Sequence, residues 1–176
     1  MLAGLHALAP ACVRPPLAAS DGGSACQAPP LADAARPLFH TSCGGTVTAT
    51  GTTLAGAFAA ASVEVDYHCG TVTIAFSDAA GDLRLTLSFP FHAEAGAAGA
   101  LGERRATVLL ERAPGDLLVD TTGSITLTAI SDPAPTLDAG PPGSAMVAGS
   151  FSVDAGCLTI SGSFSSPWCA TDSLCG

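Results

Sequence analysis

From Leu38 onward the chain runs as short segments in which apolar and small polar residues alternate, broken by Gly, Pro and Asp about every 8 to 15 residues. A period of two sends successive side chains to opposite faces of an extended strand, so these segments bury Val, Ile, Leu and Phe on one face and show Thr or Ser on the other. The expected strands are 45–53, 56–68, 71–77, 83–89, 105–112, 117–121, 124–131, 145–153 and 158–164. Between two of them, Ser77-Asp78-Ala79-Ala80-Gly81-Asp82 suits a short hairpin loop that needs one residue at positive φ. The expected fold class is all-β, an antiparallel β-sandwich or flattened barrel of about 8–10 strands.

Upstream of that pattern, residues 13–37 carry Pro15-Pro16, Gly22-Gly23 and Pro29-Pro30, which stop any long helix or strand and predict a disordered N-terminal tether. Residues 1–12 are apolar and lead through Ala9-Pro10-Ala11 into Cys12. They read as the end of a truncated signal or lipoprotein segment, with Cys12 as the lipidated residue. Leu8 stands one place too early for that motif, and Pro10 stands where a small residue is usual. The expected division is thus segment 1–12, linker 13–37 and a disulfide-stapled β-domain over 38–176. Within that domain, 93–101 is expected to be a loose loop, and 131–143, which holds four prolines, a long one. No stretch approaches the roughly 20 apolar residues of a transmembrane helix, so a lipid anchor is the membrane attachment the sequence allows.

Seven cysteines are scattered along the chain without a Cys-x-x-Cys pair, which argues against zinc knuckles and iron–sulfur clusters. Setting Cys12 aside leaves Cys26, Cys43, Cys69, Cys157, Cys169 and Cys175, an even set able to close three bridges in any of about 15 ways. Such a framework belongs to an oxidising compartment, so the expected location is secreted, periplasmic or anchored at the outer membrane of a bacterium.

The net charge is −9, and Lys and Asn are absent while Ala, Gly, Pro and Asp abound. That bias matches GC-rich codon usage. A negative field with no basic stripe repels phosphate backbones, so nucleic acid is not an expected partner.

Two short patterns recur. Gly-x-aliphatic-Thr stands at Gly45, Gly70, Gly123 and Gly156, and Gly-small-Phe at Gly56, Gly149 and Gly162, each read as the start of a strand. With the terminal Gly162-Ser163-Phe164-Ser165-Ser166-Pro167-Trp168-Cys169, the stretch from Gly45 to Cys169 resembles uncharacterised secreted and lipoprotein β-domains of GC-rich bacteria. The resemblance implies an exported β-domain and carries no assigned activity.

For chemistry, the sharpest constellation is Val63-Glu64-Val65-Asp66-Tyr67-His68. On a strand Glu64, Asp66 and His68 share one face at about 7 Å spacing, where they could hold a divalent metal if His40 or His92 joined them. The same alternation describes a half-solvated antiparallel strand. Asp132 with Asp138, or Asp78 with Asp82, could offer oxygens to calcium, although acidic residues in turns also serve the turn itself. Cys69 beside His68 suggests a nucleophile, but an exported cysteine is commonly bridged. No Gly-x-Ser-x-Gly elbow occurs. Trp168, the single tryptophan, is expected to cover a disulfide or the end of the sheet.

Three function classes follow. The first is a non-catalytic envelope domain for scaffolding or protein contact, with no cofactor and an unknown protein or small ligand as partner. The second is a metal- or ligand-binding module centred on Glu64, Asp66 and His68, with a divalent cation. The third is an envelope hydrolase assembled from residues distant in sequence; the reading leans away from an enzyme.

Overall fold

The computed structural model of the protein describes residues 39, 44–68, 70–91, 101–113, 115–130 and 146–169. Alternating sequence becomes strand throughout these residues: β1 (Thr46–Thr53), β2 (Gly56–His68), β3 (Thr71–Asp78), β4 (Leu83–Pro90), β5 (Gly102–Arg112), β6 (Asp116–Ile130), β7 (Met146–Ala155) and β8 (Leu158–Pro167). Each strand pairs antiparallel with the next, and β8 pairs back with β1, so the sheet closes as one barrel rather than splitting into the two packed sheets of a sandwich. The β3–β4 hairpin turns on Gly81 at φ 73°, and the Asp78 carboxylate accepts the N–H of Leu83 at 3.1 Å. This is the turn that the Asp-flanked glycine predicted.

Inward positions alternate as expected. Phe58, Val63 and Val65 of β2 face Ile74 and Phe76 of β3, Leu85 and Leu87 of β4, and Val108 and Leu110 of β5, all buried. Eight strands enclose an interior about as wide as the side chains lining it. Here they meet across it: the Phe76 ring stacks on Phe151 at 4.7 Å and meets Phe164 edge-on at 5.8 Å, joining β3 to β7 and β8. Outward positions on β1, β7 and β8 are chiefly Thr and Ser. Apolar inside and hydroxyl outside is the reverse of a lipid-facing barrel wall. Among the described residues, no helix is long and apolar enough to cross a membrane.

Two expectations need correction. The strands read as 117–121 and 124–131 are one strand, β6, which passes through Gly123 without a turn. Gly123, Gly149 and Gly162 therefore lie inside strands instead of starting them. A Cβ on Gly162 would stand 2.3 Å from the carbonyl oxygen of Thr48 and 2.5 Å from Cα of Ala49, and one on Gly51 would stand 2.0 Å from the oxygen of Thr159. The glycines let β1 and β8 coil tightly against each other where the ring closes.

The two ends of the barrel are built differently. β1 starts late, and beyond it the tail of β8 reaches β2 directly: Cys169 N–H donates to the Val65 carbonyl at 2.8 Å, and Trp168 bridges Val65 in parallel. At that end Trp168 and Phe91 each meet Tyr67 edge-on, at 6.5 and 6.1 Å. Trp168, 8% exposed, thus seals the sheet end as its sequence position suggested.

Because backbone atoms of Thr48 and Ala49, with the Ala49 Cβ, block Gly162 and none of them can swing aside, Gly162→Ala should cost about 3 kcal/mol in urea unfolding by forcing the β1–β8 seam apart. A loss below about 0.5 kcal/mol, the level of an ordinary surface substitution, would show that the seam is not close-packed.

Candidate functional site

Alternation along β2 places Glu64 and Asp66 on its outer face, with Val63 and Val65 buried on the other, as the sequence predicted. The register sets Glu64 opposite Ala75, Asp66 opposite Thr73 and His68 opposite Thr71. Across β3, Arg84 of β4 stands opposite Ser77. Its guanidinium reaches back over β3 to the Glu64 carboxylate at 3.5 Å, with the two side chains 29% and 27% exposed. Glu64 is therefore held by a cation of the chain itself.

Other groups on this wall are left without partners. Asp66 Oδ1, Ser77 Oγ and Arg84 Nε are all shut off from solvent and make no hydrogen bond. Thr73 and Ser88 share a hydroxyl–hydroxyl bond at 3.3 Å. The ring of Phe39 lies 5.7 Å from the Arg84 guanidinium carbon, within cation–π range, and its N–H donates to the Gly81 carbonyl at 3.0 Å. Neither Arg84 nor Phe39 was picked out from sequence. The one available signal was the small outward pair Ala75 and Ser77 on β3, which leaves room for something to lie over that strand.

Among the described residues no group of three His, Cys, Asp or Glu comes together to hold a metal. His40 and His92, the candidate supplements, lie outside the described residues, as do Asp132, Asp138, Cys12, Cys26, Cys43, Cys69 and Cys175; of His68 the backbone alone is described. Asp78 serves its own turn by accepting from Leu83. Cys157 and Cys169 are each disulfide-bonded. One sits in the β7–β8 turn and the other just past the end of β8, a separation of about 33 Å along a ten-residue strand, so they are not bonded to each other.

The opposite side of the barrel has another character. Across β1, β8, β7 and β6 the register aligns Thr48, Ser163, Ser150 and Thr126 in one row and Thr50, Ser161, Ser152 and Ser124 in the next. Neighbouring strands are about 4.8 Å apart, and the hydroxyls of Thr48 and Ser163 close to a hydrogen bond of 2.8 Å. These two rows carry no charged residue and are exposed along β1, β8 and β7 and half-buried on β6.

Compared with family models, curated proteins and solved structures, the chain finds no match in any of the three.

The Glu64–Arg84 pair is half-exposed, so its strength should be modest and sensitive to salt. A double-mutant cycle of Glu64→Gln and Arg84→Met should give a coupling of about 0.5–1 kcal/mol at low salt, shrinking in molar salt. A coupling indistinguishable from zero at low salt would remove the pair from the wall.

Proposed function

We propose that the protein is an exported, non-catalytic domain of a bacterial cell envelope that acts through contacts made by its outer surface. The observation that carries this reading is the filled interior. Phe76, Phe151 and Phe164 meet in the middle of the barrel, and Trp168, Tyr67 and Phe91 close one end. With the inside occupied by side chains, recognition falls to the walls and rims. The most continuous open wall is the hydroxyl lattice of β1, β8, β7 and β6, which suits a broad polar contact and offers no group poised for bond cleavage. Export and anchoring through Cys12 belong to the same reading, which the bonded state of Cys157 and Cys169 supports.

Photocrosslinking groups placed at Ser150 and Ser163 and expressed in the native envelope should give a defined protein adduct. The same group at Thr86 on the opposite wall should not. Absence of any adduct from the hydroxyl wall would overturn the contact reading.

A second reading is favoured by one specific observation, the buried and unpartnered Asp66 Oδ1 on the face shared with Glu64. In that reading the wall takes a divalent cation. Equilibrium dialysis with zinc, copper and calcium decides it: uptake near one ion per chain, lost in His68→Ala, supports the cation, and uptake unchanged by that substitution dismisses it.

A further inference from the structure

Solvent reaches the outer wall of the barrel unevenly. Outward residues of β1, such as Thr46, Thr48, Thr50 and Thr52, are all exposed, as are Ser150, Ser152 and Asp154 of β7. On the facing wall, from Glu64 and Asp66 through 73–77 to 84–88, no outward position is exposed, and Ala75 and Ser77 fall to 1%. The Glu64–Arg84 ion pair crosses β3 and accounts for part of this cover. Phe39 continues it by lying on Arg84 and bonding to Gly81.

Among the described residues, Phe39 lies ahead of β1 and touches the barrel, and residues 1–38 precede it in the sequence. That stretch is rich in Pro and Ala. A proline-rich segment held extended makes no hydrogen bonds within itself, so its N–H and C=O groups are free to bond elsewhere. The covered wall has complementary needs: Asp66 Oδ1 lacks a donor, and Arg84 Nε and the Ser77 hydroxyl lack acceptors. The segment as a whole is neutral, with Arg14 and Arg36 against Asp21 and Asp33, but Arg36 lies three residues from Phe39, within about 10 Å of chain, and so within reach of Glu64 and Asp66.

We infer that the outer wall of β2, β3 and β4 is the docking face of the chain's own residues 13–38, with Phe39 as the anchor. The segment read from composition as a free tether is then a strap that fastens the barrel to whatever holds its N-terminus.

Carboxylate footprinting of the full chain, with a water-soluble carbodiimide and glycine ethyl ester read by peptide mass spectrometry, tests this directly. Asp66 should label several-fold more slowly than Asp120 and Asp154, which point outward from β6 and β7 and are exposed. Two variants are compared with the unaltered chain: Phe39→Ala, and a full-length chain with residues 13–38 replaced by Gly and Ser but Cys26 kept. Trp168 fluorescence reports whether the barrel is intact in each. With the barrel intact, labelling of Asp66 should rise several-fold toward the rate of Asp154, while Asp120 and Asp154 stay unchanged. Asp66 labelled equally slowly after the replacement would overturn the strap, as would protection that appears only at high protein concentration, which would assign the cover to a second copy. Asp66 labelling as fast as Asp154 in the unaltered chain would overturn it too.

Discussion

Pairing of β1 with β8 is the constraint on which the rest of this structure depends. Seven consecutive hairpins alone would make an open, twisted sheet with two edges and a bare apolar face. Seven register pairs from Thr46↔Ser165 to Thr52↔Thr159 close it. Closure brings β3 opposite β7 and β8, and so puts Phe76 in contact with Phe151 and Phe164. The seam is tight enough to require glycine at 51 and 162, where any side chain atom would press on the neighbouring backbone. It also positions Trp168, because β8 overshoots the start of β1 and reaches β2.

A filled ring has consequences for what the molecule can do. Barrels that carry small molecules keep space among their inward side chains; here those positions are occupied by Phe, Leu, Ile and Val that touch across the middle. What remains is an outer surface with two unlike halves. One is open and lined by hydroxyls in register, and the other is covered, carrying the Glu64–Arg84 pair under Phe39. A molecule with one open wall and one covered wall has a directed surface.

Much of this architecture was legible in the sequence because the period-two pattern is a local property. The burial of Val63, Val65, Ile74, Phe76, Leu85 and Leu87 follows from alternation alone, and so does the common face of Glu64 and Asp66. The turn at Gly81 was equally local. Ring closure was not, since a sandwich and a barrel share the same alternation and differ in whether the first strand meets the last. Gly123 misled for a related reason: a glycine between two alternating runs looks like a turn, and its interior position becomes apparent once Val108 and Val153 crowd it. The partner of Glu64 was hidden as well, because Arg84 lies two strands away and register across three strands cannot be read from a linear pattern.

The most direct test of the closed ring is isotope-edited NMR of the seam between the first and last strands. The account predicts interstrand NOEs linking Thr48 with Ser163 and Thr50 with Ser161, together with slow amide exchange in both strands. Their absence, with β1 and β8 each exchanging along a free edge while the other hairpins stay protected, would contradict it and return the sheet to an open or two-layered form.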